Sequence, residues 1–233
     1  GHGYVDAIGA LEQSCDIYFY QIALKTGINR IHDMALRLGL GAPTGIGFSD
    51  EKKGIMPDRD WKMESRGSAW TPGETVVAGI GQGFVLTTPL QLAVMTARIA
   101  NRKYAVKPRL QAVEKGYEGP SFQPLDIAPE IIDVLHRGMR AVASGSRGTA
   151  RKYDLAKQGM AGKTGTVQVK RITKEQREKG IIDNIDRPWK ERDHALFVAF
   201  APYKRPKYAI SLVVEHGGSG STMAAPIARD ILD

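Results

Sequence analysis

Two apolar runs near the C-terminus limit the fold more than any other feature: Ala195-Leu196-Phe197-Val198-Ala199-Phe200 and Tyr208-Ala209-Ile210-Ser211-Leu212-Val213-Val214. Both have the length and the aromatic or β-branched content of strands. The short Pro202-Tyr203-Lys204-Arg205-Pro206 link between them calls for an antiparallel hairpin. A helix over Thr222 to Leu232 follows, with Ala225, Ile227, Ala228 and Ile231 on its inward face. Upstream, Ala161-Gly162-Lys163-Thr164-Gly165-Thr166 runs into the alternating Val167-Gln168-Val169-Lys170, a third strand read over 166–170 with Lys-Thr-Gly at its opening.

The first two thirds read as helices. Helical periodicity over 5–26 (Ile8, Leu11, Cys15, Tyr18, Ile22) is interrupted at Ser14-Cys15-Asp16, whose small polar side chains compete for local backbone. Ile28 to Leu38 reads as a helix closed by Gly39, and the glycine- and proline-rich region from Gly39 to about Thr75 as an irregular surface excursion. Thr88 caps a helix with Pro89 at its first position, Leu92, Met95 and Ile99 on its apolar face and Asn101 as its stop. Pro129 opens another, ending at Ser144-Gly145-Ser146, with a short amphipathic piece over Thr149 to Tyr153. The charged stretch from Arg171 to Arg192 reads as a mobile flap too polar to pack.

At 233 residues and 42% hydrophobic content the chain can bury a substantial core, and one domain or most of one is expected. No apolar run approaches the roughly 20 residues that span a bilayer, so an anchor, if there is one, lies elsewhere. One cysteine, Cys15, rules out an internal disulfide and leaves a buried thiol or a metal ligand. The net charge of +8 favours acidic partners. Bases and acids alternate, however, as in Lys174-Glu175-Gln176-Arg177-Glu178-Lys179, without interleaved aromatics, so a solvated face is preferred over nucleic-acid binding.

The Lys163 segment carries the chemistry. An ammonium, a hydroxyl and glycine-bared backbone N–H groups on one strand form an edge suited to a carboxylate or an oxyanion. A phosphate loop fails, because its leading glycine would fall at Lys157 and a helix would have to follow. A glycine-flanked surface turn is the plainer alternative, and Lys25-Thr26-Gly27 shows it, since that copy ends a helical pattern.

Taken together, Ser14-x-Asp16, Lys163-Thr164-Gly165-Thr166 and a strand hairpin finished by a helix resemble the penicillin-recognising transpeptidases and serine β-lactamases, with their Ser-x-x-Lys, Ser-x-Asn or Ser-x-Asp, and Lys-Thr-Gly motifs. Gly79-Ile80-Gly81-Gln82-Gly83, Thr87-Thr88-Pro89-Leu90-Gln91-Leu92 and Ile99-Ala100-Asn101 are similar to class B penicillin-binding proteins. Ser14-Cys15-Asp16-Ile17-Tyr18-Phe19-Tyr20 and Arg192-Asp193-His194-Ala195 resemble the elongation-specific branch. The resemblance implies an α/β fold of the β-lactamase/transpeptidase type, an antiparallel sheet packed between helices, and cross-linking of peptidoglycan stem peptides by serine acyl transfer, blocked by β-lactam antibiotics. It implies Lys163 and Thr164 on the substrate carboxylate, Thr166 N–H beside Gly165 in the oxyanion hole, Ser14 relaying a proton and Asp16 orienting the network.

The only Ser-x-x-Lys is Ser49-Asp50-Glu51-Lys52, which lies downstream of Ser14, in the irregular region and without an apolar helix face. The chain is therefore expected to be the C-terminal part of a transpeptidase domain whose nucleophile lies upstream, inactive alone. Catalysis needs no cofactor on this reading. Some members hold a structural zinc beside Ser-x-Asp, completed by upstream acidic residues, for which His2 and Cys15 would be two of four ligands; the alternative is a buried thiol and a flexible terminal histidine. His32, His136, His194 and His216 show no metal spacing and read as structural or surface residues. The implied setting is periplasmic, on an inner-membrane-anchored protein, with the elongation machinery's membrane glycosyltransferase and scaffold as partners and no nucleic acid. A β-lactam-sensing receptor domain and a basic polymer-binding protein are the rival readings.

Overall fold

The computed structural model describes residues 1–111, 122–170, 178, 180 and 182–233. The break near Ser14 separates α1 (Ala7–Glu12) from α2 (Asp16–Thr26), and α3 (Ile28–Leu38) ends at Gly39, whose φ of 98° is the left-handed stop expected of it. The region from Gly39 to Thr75 is more ordered than its composition suggests. It contains α4 (Arg59–Arg66) and the start of α5 (Pro72–Ala78). Asp58 accepts from Trp61 N at one end of α4 and left-handed Gly67 closes the other. A Thr71/Glu74 capping box starts α5, and Glu74 also pairs with the buried Lys62 at 2.5 Å. These caps are visible in the sequence, but the surrounding glycines and prolines obscure them.

As expected, α6 (Pro89–Asn101) starts at a Thr88/Gln91 capping box, and α7 (Pro129–Ser144) starts at Pro129. Over the Thr149 to Tyr153 stretch only a 3-10 turn, Arg151–Tyr153, forms. Three antiparallel strands follow, β1 (Ala161–Val167), β2 (His194–Ala201) and β3 (Tyr208–Val214), in the order β1-β2-β3. The first differs from expectation: the strand begins five residues before Thr166 and stops at Val167, so Lys-Thr-Gly sits mid-strand rather than at its opening. Alternation continues beyond Val167, but the last backbone register pair is Val167 with His194. A π-helical turn, Gly220–Ala224, leads into α8 (Ala225–Leu232).

Alternation along β2 divides the core between two helical layers. Ala195, Phe197, Ala199 and Ala201 pack with Leu155, Met160, Ala225 and Ala228 on the α8 side. Phe200 points the other way, onto Ile99 of α6 and Met139 of α7. The sheet is thus packed between helices, as the resemblance implies.

Of the Arg171 to Arg192 stretch, 171–177, 179 and 181 lie outside the described residues, and with them most of the Lys174 to Lys179 charge run. Residues 182–192 stay at the surface, with Ile182, Ile185 and Trp189 exposed, and are tied down by polar contacts. Arg192 donates to Arg187 O at 3.0 Å and Ile185 O at 2.7 Å, and Lys170 pairs with Glu191 at 2.7 Å. Polar residues here satisfy one another and the backbone, so apolar burial is not required.

Candidate active site

The break between α1 and α2 faces β1. Ser14 adopts a left-handed backbone with φ of 51°, unusual for a residue with a β-carbon, and is held there by Ser14 N to Leu11 O at 3.3 Å and Cys15 N to Ala10 O at 2.9 Å. That conformation carries the Ser14 hydroxyl out of the helical path and onto Lys163 Nζ, with which it forms a short hydrogen bond. Lys163 also donates to Thr164 O at 2.9 Å. Burial lowers the Lys163 pKa to about 8, with the nearby Asp16 carboxylate acting in the opposite direction. Asp16 is exposed at the first position of α2, where the helix dipole favours its charge, and it acts on Lys163 through that charge.

β1 is the outer strand, so alternate backbone groups point away from β2. Thr164 O accepts from Lys163 Nζ and Thr166 O accepts from Gln82 Nε2 at 3.1 Å, which places both residues in the outward-facing set. Within an extended strand the N–H of a residue points to the same side as its C=O, so Thr166 N–H faces the cleft. Thr164 Oγ1 lies 3.0 Å from Thr149 Oγ1. With Thr149 donating, the Thr164 proton is available to a bound anion.

A cleft of about 680 Å³ gathers these groups: Ser14, Asp16, Lys163, Thr164, Gly165 and Thr166 all line it, with Gln82, Thr149, Gln168, Ser219 and Ser221. The last five were not assigned roles from the sequence. Gln82 lay in the noted Gly-Gln-Gly segment, whereas Thr149 and the two serines carried no local signal. Distant contacts hold them. Glu12 at the end of α1 accepts from Arg147 N at 2.8 Å and from Thr149 N through its backbone oxygen at 3.2 Å, which fixes Thr149 against β1. Gly220 has no β-carbon, and one built there would lie 2.3 Å from both Gly165 O and Leu196 O. Only glycine lets the Ser219–Ser221 turn lie this close to the sheet.

None of Ser49, Asp50, Glu51 and Lys52 lines this cleft, and Glu51 instead accepts from Thr44 N at 2.6 Å and Gly45 N at 3.1 Å. Ser49 is thus no nucleophile for it. His2 and Cys15 line a second cavity, which Ser14 and Asp16 also border. No group of three or more metal-binding side chains occurs among the described residues, so within them His2 and Cys15 stand as a pair of candidate ligands. Cys15 is a buried thiol. The other histidines are structural: His32 meets Met56 O at 2.8 Å, His136 is buried on Phe200 and Ile99 O, and the rings of His194 and His216 pack 4.7 Å apart.

The fold agrees with comparisons to known proteins. The family described as penicillin binding protein transpeptidase domain matches residues 1–233. Peptidoglycan D,D-transpeptidase MrdA of Salmonella typhimurium is 38% identical over 242 residues, covering 100% of this chain and 38% of the relative. The crystal structure of Pseudomonas aeruginosa PBP2 in complex with WCK 5153 superimposes with a TM-score of 0.85 at 39% identity, over 100% of this chain and 48% of that one. Helicobacter pylori PBP2, in its complex with MreC, gives 0.84 at 32%, over 98% of this chain and 40% of that one. The chain spans less than half the length of each. With a match along its whole length, the chain belongs to the penicillin-binding protein transpeptidase domain family, and its likeness within that family is to penicillin-binding protein 2.

Proposed function

We propose that this chain is the substrate-gripping part of a peptidoglycan D,D-transpeptidase. The observation that carries the proposal is the Ser14 hydroxyl on Lys163 Nζ, beside an outward-facing strand edge that offers the Thr164 hydroxyl and the Thr166 N–H. The attacking serine comes from outside these 233 residues. It adds to the penultimate D-Ala carbonyl of a stem peptide, forming an ester and expelling the terminal D-Ala. The nitrogen of that leaving group takes up the proton that the attacking serine gives up, delivered through Ser14 and Lys163. The amine of a second stem peptide then attacks the ester, returns a proton by the same route, and regenerates the serine as the cross-link forms. Lys163 and the Thr164 hydroxyl hold the substrate carboxylate, while Thr166 N–H stabilises the developing oxyanion. β-Lactams, which carry a carboxylate and an acylating carbonyl, occupy the same edge.

Transpeptidases of this family need no cofactor. No described helix is long and apolar enough to cross a membrane, and the proposed setting is the periplasmic face of an inner-membrane protein anchored by a segment outside this chain. The H. pylori PBP2–MreC complex supports a scaffold partner. A neighbour whose structure concerns coordination of polymerization and crosslinking by a peptidoglycan synthase complex supports a polymerising partner.

Fluorescent penicillin tests the proposal. The longer protein carrying this domain should be labelled covalently, and the 233-residue chain alone should not. Labelling of the chain alone, at Ser49 or at a cleft serine, would place the nucleophile inside it and sink this division of roles.

A further inference from the structure

We infer that Asp193 is a positioning residue that holds the far end of the cleft in register. The inference rests on the transpeptidase reading above. Asp193 stands one residue before β2, just past the Val167–His194 pair where the backbone ladder between β1 and β2 ends. Its buried carboxylate takes over there: Oδ1 accepts from Val169 N at 3.2 Å, which extends the hold on β1 past the cleft residue Gln168. Oδ2 accepts from Asn184 Nδ2 at 2.9 Å and lies 3.5 Å from the guanidinium of the half-buried Arg187. The backbone is engaged as well. Asp193 N donates to Asn184 Oδ1 at 2.9 Å, and Asp193 O accepts from Gly218 N at 2.8 Å, next to the cleft residue Ser219.

One residue therefore ties the strand end bearing Gln168 to the turn bearing Ser219. The Lys163 end of the cleft is held separately, through Ser14 and through Glu12 with Thr149. A group that positions only the far wall should affect how tightly a ligand is held more than how fast it reacts. Asn184 makes the claim separable from general damage. In Asp193→Asn the new amide would oppose the Asn184 amide, donor to donor, whereas the reversed pair Asn184→Asp/Asp193→Asn restores donor and acceptor between the two side chains and keeps an acceptor for Val169 N, giving up only the Arg187 contact at the Oδ2 position.

The test is fluorescent-penicillin acylation of the longer protein, resolved into half-saturating concentration and limiting rate. Asp193→Ala and Asp193→Asn should each raise half-saturation about tenfold and alter the limiting rate less than about threefold. The reversed pair should return half-saturation to within about threefold of wild type. An unchanged half-saturation in folded Asp193→Ala overturns the inference, as does a loss confined to the fraction of protein that reacts. If the single variants fail to fold, a folded reversed pair with impaired half-saturation overturns it and one with wild-type half-saturation supports it. An unlabelled wild-type protein would overturn the transpeptidase reading first, and this inference with it.

Discussion

Lys-Thr-Gly occurs twice in this chain, and the two copies have nothing in common structurally. Lys25-Thr26-Gly27 ends α2: the lysine is exposed, and Gly27, at φ 81°, stops the helix by donating to Ala23 O at 2.8 Å. Lys163-Thr164-Gly165 lies inside an outer strand, with its lysine half-buried against a serine 149 residues away. What makes the second copy a site is the surroundings that the fold brings to it: a helix break, a threonine held by Glu12, and a turn pressed close by Gly220. The tripeptide supplies the functional groups, and the fold decides whether they face a lined cleft or bulk water.

The largest effect that could break this contrast is at the lysines. Lys163→Ala in the longer protein should lower the penicillin acylation rate by about 10²- to 10³-fold, the range for loss of one preorganised polar group at a reacting centre. Lys25→Ala should stay within about twofold, as surface substitutions do. A matching loss in both would mean that the two copies are not different in kind. The glycines come next. Gly162→Ala puts a β-carbon 2.6 Å from Phe197 Cζ and from Val198 O, whereas Gly27→Ala meets no atom within 4 Å but must adopt a backbone that glycine alone favours. Each should cost about 1–3 kcal/mol in denaturant unfolding, the first by overpacking and the second by strain. Only Gly162→Ala should also slow acylation, because it displaces β1.

The pH response carries a signature of Lys163. Folded Lys163 loses its proton at about pH 8 against an ordinary value of 10.5, so between those pH values the unfolded chain binds more protons and this residue makes stability rise with pH. Lys163→Met should remove that rise of up to about one proton from the stability profile, while Lys25→Met leaves it in place. The ammonium that grips a carboxylate is lost over the same range, so half-saturation by penicillin should worsen above pH 8. The smallest effect is expected at the hydroxyl pair. Thr149→Val removes the 3.0 Å partner of Thr164 and should slow acylation about fivefold, the equivalent of one ordinary hydrogen bond, whereas Thr26→Val should have almost no effect.

The same contrast explains how much was legible in the sequence. The hairpin, α3, α6, α7 and the break at Ser14 could all be read because their signals are local: alternation, caps and stops within a few residues. Ser14, Asp16, Lys163, Thr164, Gly165 and Thr166 were legible as motif residues, and they do line one cleft. Thr149, Gln82, Ser219 and Ser221 were assigned no role, because their place there depends on contacts between residues far apart in the chain, such as Glu12 with Arg147 and Gly220 with Gly165. The end of β1 was misread for a related reason. Alternation continues through Lys170, but past Val167 a side chain, that of Asp193, replaces the backbone ladder.

The most direct test is a crystal structure of the longer protein acylated by penicillin. It should show the ligand carboxylate at the Thr164 hydroxyl and the Lys163 ammonium, the acyl oxygen at Thr166 N–H, and the ester on a serine outside these 233 residues. A ligand bound away from β1, or an ester on Ser14, Ser49, Ser219 or Ser221, would contradict the account.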